Sequence, residues 1–307
     1  MPKIISPLPL VSIIIPTYNR SEFLLRSINS ALNQSYPNIE ILVIDDNGLG
    51  STNQIKTFNL LRKFINNNNK IYYFPNKVNS NASYSRNIGL WKASGEFIHF
   101  LDDDDEPHSN FINELTCYLL KNSKFSGVYC KSQSKIKNLP IYTTSYSKEG
   151  RLTFDVFNMT HEFQTSSVLF RKNKIDELMG FDKTFTRSQD LELFIRFFNK
   201  NLLGHVDKIL IDLNIDDKEN RPKLTALIEI KKFFFKKMEH YFNQLSPVEK
   251  KHILNSHNNH LFRTALKNLD IRTFYYLFKL DPQLFFKINS KYIRTYCKKI
   301  IAFLRLN

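Results

Sequence analysis

Five acidic side chains follow a short apolar run without a turn residue between them. The apolar run is Phe97–Leu101, and the acidic run is Asp102–Glu106. Neighbouring carboxylates repel one another, so such a run needs either a bound cation or exposure to water. The apolar run predicts a buried strand, and ligands of α/β sheets bind at the carboxyl ends of strands. We therefore interpret the acidic run as a functional site at a strand end rather than as a solvated loop.

Two further predicted strands end in candidate functional residues. Val11–Ile15 is a β-branched run closed by Pro16, and Ile39–Ile44 runs directly into Asp45 and Asp46. Segments with helical spacing of apolar residues separate these runs from each other and from later apolar runs, which gives the order βαβαβαβ. Strand, helix and strand in succession imply right-handed crossovers and a parallel sheet. The sequence therefore predicts an α/β fold in which acidic residues follow two strands.

The middle of the chain holds one more candidate carboxylate. A helix predicted from Leu191 to Asn199 begins directly after Asp190. A carboxylate in a first turn is stabilised by the helix dipole, so Asp190 is either only an N-terminal charge stabiliser or a functional carboxylate held ionised at neutral pH. Before it, the polar stretch Lys131–Asn158 predicts a mobile loop, and Phe163–Phe170 predicts a strand.

Composition divides the chain into two predicted domains. Residues 218–307 carry 19 Lys or Arg against 6 Asp or Glu, whereas residues 1–217 carry 25 against 23, and the whole chain of 307 residues has a net charge of +15. We expect a catalytic domain at 1–217 and a basic α-helical C-terminal region at 218–307. Three widely spaced cysteines predict neither a disulfide framework nor a zinc site. With no predicted signal peptide or membrane span, we expect a cytoplasmic protein.

The C-terminal region interleaves lysines with large apolar residues, as in Lys231–Lys237 and Lys291–Ile301. Ser246–Glu249 predicts a capped helix start, and further helices are expected at Asp270–Leu280 and from Lys291. One interpretation is a segment that lies on an anionic membrane surface, and the other is a helical subdomain with solvated lysines. Nucleic-acid binding is not expected, because the aromatic residues cluster as packing groups.

Several short motifs together resemble family 2 glycosyltransferases of the GT-A fold, of the type that builds bacterial surface polysaccharide or lipopolysaccharide. The resemblance covers about residues 8–215. It rests on these segments: Val11–Arg20, Val43–Asn47, Ser85–Gly89, Gly95–Ile98, Leu101–Glu106 and Gln189-Asp190. It implies a Rossmann-like, mostly parallel sheet flanked by helices, followed here by the α-helical C-terminal extension.

The resemblance also implies a nucleotide-sugar donor, with UDP as the expected nucleotide. In this sequence the loop from Pro16 to Tyr18 and the pair Asp45 and Asp46 would hold the base. An aromatic face stacks on a pyrimidine, and a carboxylate accepts its imide N–H. Arg86 would either contact the diphosphate or brace the acidic run through an ion pair.

The D-x-D motif of the family maps onto Asp102 and Asp104, which would contact the ribose and a Mg²⁺ or Mn²⁺ ion. Because four aspartates are consecutive, Asp103 or Asp105 could supply the metal oxygen instead. Asp190 corresponds to the general base of an inverting transfer, which must come from a different segment than the metal ligands.

The expected activity is therefore metal-dependent transfer of a sugar to a glycan or lipid-linked glycan, in lipopolysaccharide or capsule synthesis, at the cytoplasmic face of the inner membrane. The alternative is a catalytically idle partner that binds nucleotide sugars or assists assembly. His99 is expected to be a core histidine, and the polar side chains of Gln164–Ser167 are candidates for acceptor contacts.

Overall fold

The computed structural model describes residues 8–215 and 222–267, and these divide into two compact units. The larger unit contains the described residues up to 153 and those from 161 to 215. The smaller unit contains residues 154–160 and 222–267. The helices predicted at Asp270–Leu280 and from Lys291 lie outside the described residues.

The first part of the larger unit alternates strands and helices as the sequence predicts. The elements are β1 (Val11–Thr17), α1 (Ser21–Leu32), β2 (Ile39–Asp45), α2 (Thr52–Asn67), β3 (Ile71–Pro75), α3 (Ala82–Lys92) and β4 (Phe97–Phe100). These strands are parallel and lie in the order β3, β2, β1, β4. Strands β1, β2 and β4 are almost entirely buried, as expected for continuous apolar runs in a parallel sheet, whereas β3 is buried only at Ile71. The chain adds β2 and β3 on one side of β1 and β4 on the other, so the topological switch point lies between β1 and β4.

The second part extends the sheet beyond β4 with strands of mixed direction. The elements are β5 (Glu106–Pro107), α4 (Phe111–Lys121), β6 (Gly127–Ile136), β7 (Leu139–Thr143), α5 (Thr153–Phe157), β8 (Val168–Arg171), α6 (Lys172–Asp176), α7 (Gln189–Lys200) and β9 (Leu203–Asn214). From β4 the strand order of the sheet continues β8, β6, β9, β5, and β7 pairs with β6. The α/β fold class is therefore confirmed.

The prediction of a mobile loop at Lys131–Asn158 is wrong for residues 131–143. Strand β6 continues to Ile136, and the two residues Lys137 and Asn138 turn it back into β7. Both turn residues have positive φ, 49° and 63°, as the tight turn of a β-hairpin requires. The polar side chains of residues 131–143 are those of a strand pair, whereas residues 144–149 form neither helix nor strand.

Two other details of the predicted strands change. The predicted strand Phe163–Phe170 begins only at Val168, because Thr165–Ser167 form a 3₁₀ turn. Strand β9 was not predicted. It runs parallel to β6, and its last residue, Asn214, lies beside the acidic run, where its side-chain amide donates to the backbone oxygen of Asp104 at 2.8 Å.

The smaller unit is helical. It contains α8 (Leu224–Lys237), α9 (Glu239–Asn243) and α10 (Pro247–Lys267), with Leu224, Leu261, Phe262 and Ala265 in its core. The predicted capping box is confirmed, since the backbone N–H of Ser246 donates to Glu249 at 2.8 Å and that of Glu249 donates to Ser246 Oγ at 3.3 Å. None of the helices in the described part of the chain is both long and apolar enough to cross a membrane.

Lys231, on α8, departs from both interpretations of the C-terminal region, since each leaves the lysines exposed. It is buried, and its ammonium group lies 2.9 Å from Nδ1 of His257. Helical spacing explains this burial. Residues 224, 231, 234 and 238 are all buried, and they recur at intervals of seven, three and four along the helix.

Candidate active site

The carboxyl ends of β1, β2 and β4 meet at one edge of the sheet. Thr17, at the end of β1, lies opposite Asp45 at the end of β2, and its backbone oxygen accepts the N–H of Asp46 at 2.9 Å. The hydroxyl of Thr17 donates to Asp103 Oδ2 at 2.7 Å, just beyond β4. The residues singled out from the sequence at three strand ends are thus brought together at the switch point.

Two aspartates of the acidic run point into the protein. Asp103 and Asp105 are each 5% exposed. Asp103 accepts the Thr17 hydroxyl, and Asp105 accepts the backbone N–H of Asn214 at 3.3 Å. Burial raises the pKa of Asp103 to about 7 and raises that of Asp105 well above its usual range, with further increases from the neighbouring carboxylates. These two side chains are part of the packed structure of the loop.

The alternate aspartates point outward, and each is held by an arginine. The side chains of Asp102 and Asp104 are 36% and 24% exposed. Arg86 Nη2 donates to Asp102 Oδ1 at 2.6 Å, and Arg20 Nη1 donates to Asp104 Oδ2 at 2.6 Å. The arginines neutralise part of the negative charge while leaving oxygen atoms of both carboxylates accessible.

The residues at this edge fit a divalent cation only in part. Within the described ranges, no three His, Cys, Asp or Glu side chains are grouped so as to hold a metal ion. Asp102 and Asp104 can offer carboxylate oxygens, which are ligands that Mg²⁺ and Mn²⁺ accept, and Mg²⁺ is commonly held by one or two carboxylates plus phosphate oxygens of a substrate. The donor set therefore fits a cation that binds together with a diphosphate.

Asp45 and Asp46 are both buried, and each is fully engaged by the protein. Asp45 accepts the Tyr73 hydroxyl at 2.6 Å and the backbone N–H of Asn47 at 2.9 Å, while burial raises its pKa. Asp46 is held by side-chain amides and backbone N–H groups of the segment that leads into α3. Its donors are Asn76 (2.7 Å), Asn79 (3.1 Å), Ser80 (3.0 Å) and Asn81 (2.9 Å).

Sequence reasoning missed this second role of Asp46. The signal for it is the pair of asparagines after β3, at positions 76 and 79, whose side-chain amides donate to Asp46. Contact between Asp46 and a nucleotide base stays a prediction. In contrast to the two aspartates, the side chain of Tyr18 is available, since the residue is 49% exposed beside the end of β1. Pro16 lies within β1 opposite Ile44.

Asp190 lies in the first turn of α7, half-buried. Arg86 connects this helix to the acidic run, because its Nη1 donates to Gln189 Oε1 at 3.0 Å while its Nη2 holds Asp102. Of the two roles left open for Arg86, bracing of the acidic run is confirmed. Glu192, two residues after Asp190, is buried in an ion pair with Arg196 and belongs to the fold.

His99 is a core histidine, as predicted. It is fully buried, its Nε2 lies 2.8 Å from the backbone oxygen of Ser166, and burial lowers its pKa to about 4. Ser166 also supports the acidic run, since its hydroxyl accepts the backbone N–H of Asp102 at 3.1 Å. The expectation of acceptor contacts is wrong for Ser166 and Ser167, because both are completely buried.

An α/β sheet with acidic residues at the switch point is the architecture of GT-A transferases, and comparison of the fold agrees. Residues 1–349 of S. aureus TarS, solved with UDP-GlcNAc, superpose with a TM-score of 0.61 at 17% identity, covering 84% of this chain and 72% of that fragment. The mannosyltransferase PcManGT from Pyrobaculum calidifontis, solved with GDP-Man and Mn²⁺, gives 0.59 at 14% identity, covering 97% of this chain and 81% of that one. These likenesses establish the fold.

The family follows from the sequence. The profile described as glycosyl transferase family 2 matches residues 12–203, so the chain belongs to glycosyltransferase family 2. A Haemophilus influenzae protein named as an uncharacterized glycosyltransferase is 32% identical over 170 residues, which cover 55% of this chain and 64% of that protein. A Campylobacter jejuni protein named GalNAc(5)-diNAcBac-PP-undecaprenol beta-1,3-glucosyltransferase is 30% identical over 195 residues, covering 58% of each. In both cases the match spans less than two thirds of the relative's length.

Proposed function

We propose that this family 2 enzyme is an inverting, metal-dependent transferase that moves a sugar from a nucleotide sugar, with UDP as the expected nucleotide, to a glycan or lipid-linked glycan of the bacterial surface. The observation that carries the proposal is the pairing of two outward carboxylates, Asp102 and Asp104, with a separate carboxylate, Asp190, whose helix is joined to them through Arg86. Donor and base functions thus come from different segments, as an inverting reaction requires.

The donor would bind at the carboxyl ends of β1, β2 and β4. Tyr18 is exposed and can stack on the base, while Asp45, Asp46 and Asp103, buried at the same strand ends, are the carboxylates that would contact the nucleotide sugar. Asp104 and Asp102 would hold Mg²⁺ or Mn²⁺ with the diphosphate, and Asp105 supports that loop from within. A bound cation would stabilise the negative charge that develops on the leaving diphosphate.

The chain's own residues supply the proton transfer. Asp190 would accept the proton of the acceptor hydroxyl while the oxygen of that hydroxyl bonds to the anomeric carbon. The bond from the anomeric carbon to the diphosphate oxygen breaks at the same time, and its electron pair leaves with the diphosphate. Asp190 lies in the first turn of α7, half-buried, on a segment separate from Asp102 and Asp104.

The names of relatives and structural neighbours support the substrate class without fixing it. Solved neighbours bind UDP-GlcNAc or GDP-Man, and the Campylobacter relative is named for transfer to an undecaprenol-linked glycan. A panel of UDP-, GDP- and dTDP-sugars tests the proposal without knowledge of the acceptor, by measuring release of free sugar with Mn²⁺ and with excess chelator. Hydrolysis of no donor, or equal hydrolysis in chelator, would contradict it.

We also propose that the enzyme works at the cytoplasmic face of the inner membrane and contacts anionic lipid through its basic C-terminal region. Residues 222–267 carry 9 Lys or Arg against 3 Asp or Glu. Lys232, Phe233, Lys236 and Lys237 are exposed on α8, where basic and aromatic groups are neighbours. Each lysine near an anionic surface contributes about 1 kcal/mol, so a few suffice for reversible binding.

Flotation with liposomes that contain phosphatidylglycerol tests this placement. We expect salt-sensitive binding of the full chain and loss of binding when Lys232, Lys236 and Lys237 are all changed to Glu. The matched control changes three exposed lysines of the larger unit, Lys63, Lys121 and Lys124, to Glu. Equal loss in the two variants, or no binding of the unaltered chain at low salt, would reject a specific role for the C-terminal region.

A further inference from the structure

Side chains of α3 form hydrogen bonds with the segment that leads into α7. Four residues of α3 and its N-cap bond to the segment that precedes Asp190: Asn81 to the backbone oxygen of Lys183 at 3.3 Å, Ser83 to that of Phe185 at 3.3 Å, Asn87 to both backbone groups of Phe181 at 2.9 and 2.8 Å, and Arg86 to Gln189 at 3.0 Å. The position of the α7 N-terminus is therefore set from α3.

Arg86 is the member of this set that also reaches the donor side. Its guanidinium group is almost completely buried and lies 5.4 Å from the centre of the Phe181 ring. Its two terminal nitrogens donate hydrogen bonds to Asp102 and Gln189. A planar fork of donors fixes both partners in one geometry. Displacement of Gln189 would therefore be transmitted to Asp102, and displacement of Asp102 to Gln189.

The chemistry of Gln189 suits this position. Ser188 gives α7 no side-chain cap, and its φ of 59° shows that the chain turns sharply there. The amide oxygen of Gln189 accepts a hydrogen bond from Arg86 without adding a negative charge. Of the two side chains that Arg86 bonds, Gln189 is therefore neutral and Asp102 is anionic. The next residue along the helix is Asp190.

We infer that Gln189 is a positioning residue, which through Arg86 fixes the base Asp190 relative to the donor-binding carboxylate Asp102. This inference rests on the proposed function. Because the link is geometric, its loss acts on the reaction step and not on donor binding. A shift of about 1 Å in a reacting group can lower turnover by roughly 100-fold.

The test compares Gln189→Met, which keeps the length of the side chain but removes the amide oxygen, with Gln189→Glu, which restores an acceptor for Arg86. Turnover is measured as Mn²⁺-dependent release of sugar from UDP-GlcNAc, UDP-glucose and GDP-mannose, and UDP affinity is measured by calorimetry. We expect Gln189→Met to lower kcat roughly 10- to 100-fold with KM and UDP affinity changed less than about threefold. We expect Gln189→Glu to recover most of kcat.

Gln244→Met, at an exposed position of the smaller unit, is the matched control and should keep the wild-type kcat. If Gln189→Met unfolds at a lower temperature than the control, Arg86→Lys replaces it, since one ammonium group cannot reproduce the fork and should give the same loss of kcat. Wild-type kcat in Gln189→Met, or parallel losses of kcat and UDP affinity, would overturn the inference. Failure of the wild-type chain to hydrolyse any donor would instead overturn the proposed function.

Discussion

Two clusters of ionisable side chains, one in each unit, differ in how far their charged groups are exposed. In the larger unit, Asp102 and Asp104 keep accessible oxygens and are paired with Arg86 and Arg20. In the smaller unit, Lys231 has His257 as its partner, and the pair is buried among Phe234, Phe235 and the backbone of Phe157. The first cluster presents carboxylates at a surface, whereas the second buries a lysine beside a histidine.

The shifts in pKa show the same difference. Burial lowers the pKa of Lys231 to about 8, and burial together with the charge of Lys231 lowers that of His257 to about 4. The imidazole is therefore neutral at pH 7, so that Nδ1 can accept from the ammonium group while Nε2 donates to the Phe157 oxygen at 2.8 Å. This arrangement ties residues 154–160 to α8 and α10 within the smaller unit. It serves folding, whereas the outward aspartates have the role in ligand binding that we propose above.

The largest effect that separates the two clusters is expected for Asp104→Asn. Removing a carboxylate that would bind the cation should lower turnover at least about 10³-fold, because metal stabilisation of the leaving group supplies several kcal/mol. The free energy of unfolding should change by less than about 1 kcal/mol, since the ion pair with Arg20 is partly exposed. Sugar release and urea unfolding measure the two quantities.

Asp176→Asn, which changes a solvent-exposed aspartate paired with Lys172, is the control for Asp104→Asn and should leave both quantities unchanged. Retention of full activity by Asp104→Asn would remove the distinction between a ligand-directed cluster and a structural one.

The next effect is expected for Asp190→Asn, which tests whether the base is separate from the donor carboxylates. Loss of a positioned base should lower kcat by roughly 10²–10⁴-fold. UDP affinity should change little, because Asp190 lies on α7 and not at the strand ends that would hold the nucleotide. Titration calorimetry with UDP and Mn²⁺ beside the sugar-release assay separates the two. If affinity and turnover fall together, Asp190 has a structural role.

Much of the first half of the fold could be predicted from sequence because each element there is defined by local periodicity. Continuous apolar runs alternate with helical spacing from Val11 to Leu101, and sheet topology then places the strand ends at one edge. The second half of β6 and the strands β7 and β9 could not be found in this way. Strand β6 is rich in polar residues beyond Cys130, and its pairing with β7 and β9 supplies the regularity that its sequence lacks.

The orientation of the four aspartates was also beyond sequence reasoning. No periodicity governs a turn, and the choice is made by distant partners: Thr17 holds Asp103 inward and Asn214 holds Asp105 inward. The burial of Lys231, by contrast, was readable from its spacing to Leu224 and Phe234. Both interpretations of the C-terminal region left its lysines exposed, because they gave the chemical type of the residue more weight than its position on the helix.

The smallest effect, a change in stability with pH, belongs to the smaller unit. The pKa of His257 lies at about 4 in the folded chain, below its ordinary value of 6.5, so the unfolded chain binds more protons between these values. The contribution of neutral His257 to the free energy of unfolding is therefore fully present above pH 6.5 and is lost as pH falls toward 4. The loss is on the order of 1–3 kcal/mol for a pKa shift of this size. Carboxylates titrate in the same range, so the measurement must be a difference between variants.

His257→Gln keeps a donor and an acceptor but cannot gain a proton, and it should flatten the dependence of unfolding free energy on pH between 6.5 and 4 relative to the wild-type chain. His252→Gln, at an exposed position of the same helix, should retain the wild-type slope. Urea unfolding followed by circular dichroism at several pH values measures both. Sugar release at pH 7 should be the same in the two variants, since neither residue belongs to the strand-end site. Identical slopes for His257→Gln and the wild-type chain would show that the buried pair does not carry the acid sensitivity of this unit, and the contrast between the clusters would then rest on the acidic run alone.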